Sequence, residues 1–323
     1  MSRRHRYRLL LPLPALVGCL LATACSGGPR TAAGGVAGVE CGSASPKPTP
    51  RAKAVPRLNR VVIIVMENKG CEEVIGSDDA PYLNRLASRY AFASRFFAVQ
   101  RPSLPNYLAL TGGSTFGLDH NCTDCSFRER NIVDQLDSAH ISWKAYMESI
   151  PTTCFRGPEA PDQYVKEHNP FVYYVNIASN PARCRHVVSF DQLERDLAAR
   201  SLPRYVWISP NNCHNSHNCS IRDGDRFLSR LVPRLLRVVG RRGVVVVTYD
   251  EGNDRSGCCG GAAGGQIATV LAGPAARRGV RSSLAYDHYS ILRTIEDAWR
   301  LPRLRGAACR CTRPLSALLR PSL

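Results

Sequence analysis

The sequence lacks an apolar run long enough to span a membrane comfortably. Residues 9–24 are largely apolar, but a transmembrane helix needs ~20 such residues. Acidic residues are also scarce, since 26 Asp and Glu stand against 43 Lys and Arg, for a formal charge of +17. Nine of the basic residues and one acidic residue precede Leu58, so the remaining chain carries +9. Such a surplus attracts anionic substrates or an anionic envelope surface.

Motifs for reading nucleic acid are absent as well. The chain contains no helix-turn-helix pattern, no RNA-binding sheet motif and no stripe of aromatic and basic residues. The positive charge therefore does not predict a sequence-specific nucleic-acid partner. No sequence pattern indicates a protein partner.

A second cysteine pair with the spacing of a zinc finger is also missing. Cys122 and Cys125 have finger-like spacing, but no matching pair follows, so disulfide bonds are favoured over zinc. Twelve of the 14 cysteines follow residue 25, an even number that suits an oxidising compartment. Short separations favour bridges Cys122–Cys125, Cys213–Cys219 and Cys154–Cys184, although sequence alone does not fix the connectivity.

Residues 1–25 have the pattern of an export signal. A basic start precedes the apolar stretch, which ends on Leu21-Ala22-Thr23-Ala24-Cys25. This end resembles the lipobox of bacterial lipoproteins, except that Ala22 replaces the usual leucine three places before the cysteine. We expect an exported protein with a lipid anchor at Cys25, at the outer face of the cell membrane. The alternative is cleavage at an ordinary Ala-x-Ala site and secretion without lipid.

The segment 26–57 is rich in Gly, Ala, Ser, Thr and Pro, which predicts a flexible linker. Residues 58–323 form the predicted catalytic domain. Four apolar, β-branched segments in this domain are predicted strands: 60–66, 205–209, 243–249 and 267–272. Five amphipathic segments between and after them are predicted helices: 82–90, 131–139, 190–200, 225–239 and 289–299. This alternation predicts an α/β fold with a largely parallel central sheet and helices on both faces.

Acidic and amide side chains follow two of the predicted strands directly. Glu67 and Asn68 follow the first strand, and Asp250 and Glu251 follow the valine-rich strand 243–249. Ligands of open α/β sheets collect at the carboxyl ends of the strands. For any single carboxylate, loop solvation or helix capping is the commoner role. Two such groups together favour a metal site, with hard oxygen ligands that suit Mg, Ca or Mn and that zinc also accepts.

Ser103 is predicted to be the N-cap of a helix that ends at Gly112 and Gly113. Most serines in such a place only cap the helix. A serine there also faces unpaired backbone N–H groups and the positive end of the helix dipole, which favour a phosphoryl group. Contact with a metal would lower the pKa of its hydroxyl and make it a nucleophile.

Histidines occur at two further predicted element ends, although a lone histidine is more often structural or exposed. The loop 209–219 follows a predicted strand and contains His214 and His217, and a bridge between Cys213 and Cys219 would stiffen it. His288 opens the last predicted helix. These places favour a role beside the phosphate or the leaving group.

Five ordered motifs together strongly resemble the bacterial phosphoesterase family, and the resemblance covers roughly residues 58–305. They are Met66-Glu67-Asn68, Pro102-Ser103-Leu104-Pro105-Asn106-Tyr107, the loop 210–219, Thr248-Tyr249-Asp250-Glu251-Gly252 and His288-Tyr289-Ser290-Ile291-Leu292-Arg293-Thr294-Ile295-Glu296. That family contains acid phosphatases and bacterial non-specific phospholipases C, and it implies an alkaline-phosphatase-like core. Each motif alone is weak, but their order is specific.

The resemblance implies a site with one divalent metal ion, whose identity stays open among Mg, Ca, Mn and Zn. The implied metal ligands are Glu67, Asn68, Ser103, Asp250 and Glu251. The implied catalytic residues are Ser103 as nucleophile, with His217 and His288 beside the phosphate or leaving group. Asn106 and His214 are further candidates for substrate or phosphate binding. The family often has Asp at the position of Asn215, so the orienting charge for His217 is missing here.

The expected function is an exported, metal-dependent phosphoesterase that acts on a phosphate ester. An acid phosphatase with a phosphoserine intermediate on Ser103 is the first expectation. A phospholipase C is the alternative within the family, although those enzymes tend to be longer. A non-catalytic envelope lipoprotein that binds phosphate or a cell-wall polymer is the alternative outside it.

Overall fold

The computed structural model describes residues 39–42 and 54–321. The predicted signal peptide 1–25, the lipid-anchor residue Cys25 and most of the predicted linker lie outside the described residues. The described residues all belong to one compact unit. No helix among them is both long enough and apolar enough to cross a membrane.

Ten strands are present in the part of the chain that the structure describes, and eight of them form one central sheet. They are β1 (Arg60–Met66), β2 (Ala91–Phe97), β3 (Trp143–Met147), β4 (Glu159–Ala160), β5 (Tyr164–Val165), β6 (Val187–Ser189), β7 (Tyr205–Ser209), β8 (Gly243–Tyr249), β9 (Gln266–Ala272) and β10 (Val280–Asp287). The sheet has the order β10-β2-β9-β8-β1-β7-β3-β6, while β4 and β5 form a separate hairpin. Only β9 runs antiparallel to its neighbours in the described sheet.

Helices surround this sheet. They are α1 (Cys71–Val74), α2 (Pro81–Arg89), α3 (Ser103–Gly112), α4 (Ile132–Ser138), α5 (Val175–Ala178), α6 (Pro181–Cys184), α7 (Phe190–Ala198), α8 (Ile221–Val238), α9 (His288–Trp299) and α10 (Arg305–Ala308). Helix α2 packs against α8, and α3 packs against α9. All seven residues of β8 are buried, as are 61–66 of β1, so both faces of the central strands are covered. The predicted α/β fold is confirmed.

The four predicted strands and five predicted helices are present, with ends shifted by a few residues. Strands β2, β3, β4, β5, β6 and β10 were not predicted. Helix α8 begins at Ile221 rather than at Asp225, because the Ser220 side chain accepts a hydrogen bond from the backbone of Asp223 and caps the helix.

Six disulfide bonds link the twelve cysteines of the described residues. Three are the predicted pairs, and the others are Cys41–Cys71, Cys258–Cys259 and Cys309–Cys311. The first of these joins residues 39–42, within the predicted linker, to the domain. In addition, Gln266 Nε2 donates to the Gly42 carbonyl at 3.0 Å. This short part of the predicted linker is therefore attached to the sheet.

Candidate active site

Neighbouring parallel strands bring the two predicted acidic segments together. Strand β1 pairs with β8 in a register that sets Met66 opposite Tyr249, so the residues that follow both strands emerge at one edge of the sheet. The Asn68 backbone N–H donates to Asp250 Oδ1 at 2.9 Å, and the Asp250 N–H donates to the Met66 carbonyl at 2.9 Å. The two segments therefore form one connected cluster.

Ser103 lies beside this cluster at the start of α3. Its Oγ donates to Glu67 Oε2 at 3.3 Å, and only 3% of the residue is exposed. One turn later on the same helix, the Tyr107 hydroxyl donates to Glu67 Oε1. Helix α3 thus presents two hydroxyl groups to one buried carboxylate.

The helix start differs from the predicted one. Pro102 is the N-cap and Ser103 is the first helical residue, so the prediction of Ser103 as N-cap was wrong. The Leu104 N–H donates to Asn121 Oδ1 at 3.0 Å, and Pro105 has no N–H to offer. One of the backbone N–H groups that were predicted to bind a phosphoryl group, that of Leu104, is therefore already hydrogen-bonded to Asn121.

Asn106 is engaged by the loop that precedes Ser103. Its Oδ1 accepts from the backbone N–H groups of Val99 and Gln100 at 3.0 and 2.9 Å. Its Nδ2 donates to the carbonyls of Gln100 and Pro102 at 2.7 and 3.1 Å. These contacts make Asn106 a residue that holds the loop in front of the serine, and they differ from the predicted contact with phosphate.

His168 is part of the cluster, although it was not predicted. It is 5% exposed, and its Nε2 lies 3.1 Å from Glu67 Oε2. Its ring stacks on Tyr107 with 5.3 Å between centroids. It lies in an irregular segment with one short 3-10 turn. Because it neither follows a predicted strand nor begins a predicted helix, the sequence pattern did not indicate that it belongs to the site. The local sequence Lys-Glu-His carried no usable signal.

The predicted loop 209–219 brings His217 to the same place. The surroundings of the Asn68 amide orient its oxygen to accept from His217 Nε2 at 3.2 Å. His217 Nδ1 lies 2.8 Å from Asn218 Oδ1, and its backbone N–H donates to Asn215 Oδ1 at 2.8 Å. Asn215 therefore positions the backbone of His217, while Asn218 contacts the ring. His217 is exposed, so its ring faces solvent as well as the cluster.

His214 and His288 have other contacts. His214 Nδ1 lies 2.8 Å from Glu148 Oε1, which raises the pKa of His214, and its ring stacks on Phe227. These contacts differ from the predicted one with substrate. His288 is fully buried, and its Nε2 lies 3.1 Å from the carbonyl of Tyr249, the residue before Asp250. Burial lowers the pKa of His288 to about 4, so its imidazole is neutral at ordinary pH.

The carboxylates of the cluster have strongly shifted pKa values. Burial raises the pKa of Glu67 to about 8, and burial also raises that of Asp250 well above its usual range. Burial, with the charge of Asp250 nearby, raises the pKa of Glu251 to about 8. Arg101 lies 3.8 Å from Glu251 and only partly offsets this effect. When these carboxylates are ionised, their negative charge therefore exceeds the positive charge of the cations nearby.

These residues fit a divalent metal ion. One end of the Asn68 amide lies 3.2 Å from Glu67 Oε2 and 3.2 and 3.3 Å from the two Asp250 oxygens. The amide nitrogen can donate there, and half a turn of the amide would direct its oxygen at the same point. Glu251 Oε2 is buried without a hydrogen-bond partner among the described residues. Hard oxygen ligands with uncompensated charge are the donor set that Mg, Ca or Mn prefers.

Known proteins are similar to most of this chain. The model of the Phosphoesterase family matches residues 76–302. A phosphate-repressible acid phosphatase of Penicillium chrysogenum is 30% identical over 78% of the chain and 61% of its own length. An acid phosphatase of Aspergillus fumigatus is 30% identical over 78% of the chain and 57% of its own length. The chain thus spans about three fifths of these relatives. A phosphatidylinositol-3-phosphatase of Mycobacterium tuberculosis is 31% identical over 78% of the chain and 80% of its own length.

Solved structures share the fold at low sequence identity. A protein of the alkaline phosphatase superfamily from Vibrio parahaemolyticus superposes with a TM-score of 0.54 and 11% identity, over 80% of this chain and 72% of that one. The lipoteichoic acid synthase LtaP of Listeria monocytogenes gives a TM-score of 0.53 at 10% identity, over 78% and 75% of the two chains. These likenesses confirm the alkaline-phosphatase-like core. Together with the family match, they show that the chain belongs to the Phosphoesterase family.

Proposed function

We propose that this protein is a metal-dependent phosphomonoesterase in which Ser103 is the nucleophile. The observation that carries the proposal is the 3.3 Å contact between Ser103 Oγ and Glu67 Oε2, at the edge of a buried cluster of oxygen ligands. The acid phosphatases among its relatives support a monoester as the substrate. The chain spans only part of the length of these relatives. Their activity therefore supports the proposal but does not by itself assign the same activity to this chain.

The residues of the cluster divide into ligands and proton carriers. Glu67, Asn68, Asp250 and Glu251 would hold the metal ion, with Ser103 as a further ligand. When bound, the ion lowers the pKa of a contacting hydroxyl and stabilises negative charge on phosphoryl oxygens. Glu67 accepts the hydrogen of the Ser103 hydroxyl, which prepares Oγ for attack on phosphorus.

Attack by Ser103 forms a bond between Oγ and phosphorus and breaks the bond to the leaving oxygen. His217 is the best placed acid for that oxygen, because its Nε2 lies 3.2 Å from one end of the Asn68 amide in either orientation of that amide, and because its ring faces solvent, from which it can regain a proton. Water then hydrolyses the phosphoserine and releases phosphate. His288, neutral and bonded to the Tyr249 carbonyl, orients the segment that carries Asp250.

Trapping the phosphoserine tests the proposal. We expect wild-type protein, quenched in acid during turnover of an aryl phosphate, to carry one phosphoryl group on the peptide that contains Ser103. The Ser103→Ala variant should lose the label and at least ~10³-fold in kcat. Ser138→Ala, which changes an exposed serine at the end of α4, is the control and should keep both. Full activity in Ser103→Ala would remove this serine from the mechanism.

We also propose that the protein is exported and lipid-anchored through Cys25. The leader-like composition of residues 1–25 supports export, and so do the six disulfide bonds, which persist in oxidising compartments. Expression in a bacterial host with a radiolabelled fatty acid tests the anchor. The full chain should be labelled and the Cys25→Ser variant should not. An unlabelled full chain in the medium would instead support plain secretion.

A further inference from the structure

Arg101 lies at the edge of the acidic cluster and has no role in the chemistry described so far. It precedes Ser103 by two residues, and two residues of chain span at most ~7 Å. Its Nε lies 3.8 Å from Glu251 Oε1, and 36% of its side chain is exposed whereas Glu251 is buried. The guanidinium group therefore contacts the cluster on one side and solvent on another.

Contacts within the cluster connect this arginine to the nucleophile a second time. Glu251 directly follows Asp250, whose two carboxylate oxygens lie 3.2 and 3.3 Å from one end of the Asn68 amide. The same end of the amide lies 3.2 Å from Glu67 Oε2. That oxygen accepts the hydrogen bond from Ser103 Oγ at 3.3 Å. The arginine is thus close to the serine along the chain and is also joined to it through adjoining side chains.

The backbone of Arg101 is fixed by the loop that Asn106 holds. The Arg101 N–H donates to Oε1 of Gln100 at 3.1 Å. Gln100 in turn donates its backbone N–H to Asn106 Oδ1 and accepts from Asn106 Nδ2 at its carbonyl. These contacts hold the start of the arginine side chain in place beside the serine.

The guanidinium group of Arg101 has unused hydrogen-bond donors. An arginine side chain has five N–H donors in a planar fork and keeps its charge at every ordinary pH. The distance to Glu251 is longer than a hydrogen bond, and the side chain donates to no other residue in the part of the chain that the structure describes. A partly exposed ion pair of this length contributes little to stability. The fork is therefore available to a ligand, and phosphoryl oxygens match its geometry.

We propose that Arg101 binds the non-bridging oxygens of the substrate's phosphoryl group and makes the site selective for dianionic monoesters over monoanionic diesters. The proposal rests on the phosphoesterase function proposed above and assigns the residue that sets its substrate class. A phosphate monoester carries a second negative charge that a diester lacks, and the carboxylates of the cluster repel that charge. The Arg101 guanidinium offsets this repulsion at the point where the phosphoryl group meets Ser103.

Two esters with the same leaving group test this selectivity. They are 4-nitrophenyl phosphate and methyl 4-nitrophenyl phosphate at pH 8, where the monoester is a dianion because its second pKa is ~6. We expect Arg101→Gln to lower kcat/KM about 10²-fold for the monoester, as for the loss of one charge-stabilising donor, and less than about fivefold for the diester. Arg101→Lys keeps the charge without the fork and should restore part of the loss.

Arg241→Gln is the matched control. Arg241 is exposed and lies just before the amino end of β8, whereas the acidic cluster follows its carboxyl end. Seven residues of strand span ~23 Å, so this arginine is remote from Ser103. The variant should leave both rates unchanged and shows whether the loss of any one positive charge lowers the rate for the monoester.

Losses of equal size for the two esters in Arg101→Gln, or no loss for the monoester, would overturn the proposal. A diester rate too low to measure leaves the monoester to decide. A loss in Arg101→Gln that Arg101→Lys partly restores then supports the proposal, and any other pattern rejects it.

Turnover of neither ester by the wild type would count against the phosphoesterase function instead. Calorimetric titration with inorganic phosphate then tests Arg101 by itself. A dissociation constant that rises about tenfold in Arg101→Gln supports its contact with phosphate. Equal binding by the two proteins, or no binding by the wild type, rejects it.

Discussion

His168 Nε2 lies 3.1 Å from Glu67 Oε2, on the carboxylate that also accepts the hydrogen of the Ser103 hydroxyl. Burial lowers the pKa of His168, so the ring is neutral and Nε2 can donate to the carboxylate. The opposite nitrogen, Nδ1, has no hydrogen-bond partner among the described residues. The imidazole therefore fixes one oxygen of Glu67 and leaves its other nitrogen available.

Replacement of His168 should impair catalysis more than replacement of the predicted His214. We expect His168→Gln to lower kcat for an aryl phosphate about 10²-fold, because Glu67 loses the group that orients it. His214→Gln removes only the contacts with Glu148 and Phe227 and should change kcat less than about threefold. Steady-state kinetics at several pH values measure both, with circular dichroism to confirm folding. Similar losses in the two variants would contradict the role given to His168.

Metal binding should depend on Asp250. We expect Mn²⁺ to raise the melting temperature of the wild-type protein after chelator treatment, because a ligand that binds only the folded state stabilises it. Asp250→Asn should lose most of this rise, since it removes one charge from the cluster. Asp254→Asn, an exposed neighbour, is the control. A rise that is equal in wild type and Asp250→Asn would place the ion elsewhere.

The Tyr107 hydroxyl should stabilise the fold through Glu67. Tyr107→Phe leaves Glu67 Oε1 buried without its donor, at a cost of about 1–3 kcal/mol in the free energy of unfolding. Tyr205 is the matched control, because its buried hydroxyl has no hydrogen-bond partner among the described residues. Tyr205→Phe should be neutral or slightly stabilising. Urea denaturation of the metal-free variants measures both, and equal effects would refute the assignment.

Glu296 should make the protein less stable as the pH rises. Burial raises its pKa to about 8 from an ordinary value of 4.5, although it accepts hydrogen bonds from Leu304 and Gln135. The folded state therefore keeps a proton that the unfolded state has lost. The stability contributed by this proton is complete below pH ~4.5 and is lost as the pH rises to ~8.

The Glu296→Gln variant tests this pH dependence. Its free energy of unfolding, relative to wild type, should improve by more than ~1 kcal/mol between pH 5 and pH 8, because the amide does not ionise. Glu194→Gln is the control, since Arg234 lowers the pKa of that exposed carboxylate. Parallel pH profiles of wild type and Glu296→Gln would show that this group does not titrate as described.

The sequence was sufficient to predict the centre of the sheet and the acidic residues that lie together at its edge. Strands β1 and β8 are continuous β-branched runs, which only a strand buried on both faces requires, so both were predicted with their observed ends. The acidic residues that follow them lie together because the strands are parallel neighbours. The antiparallel direction of β9 was not predictable, because a long loop separates it from β8 and allows either direction.

Other parts of the fold and of the site gave weaker signals. Strand β10 mixes serines and exposed positions with apolar residues, and β2 carries Arg95 in its middle, so neither shows the buried pattern. His168 and Asn121 enter the site from irregular segments, where position depends on tertiary contacts rather than on periodicity. Asparagine is a residue type that can bind phosphate, but the side chain of Asn106 makes its four hydrogen bonds to the loop that precedes the serine.

The backbone of Asn68 adopts a left-handed conformation, with φ of 45°. Only glycine, asparagine and aspartate reach this region readily, and of these only the latter two offer a side-chain oxygen to a cation. Position 68 thus has very little freedom to vary by mutation. Glycine there would preserve the turn and remove the proposed ligand, whereas glutamine would keep an amide and strain the backbone. The two replacements would therefore separate the effect on folding from the effect on metal binding.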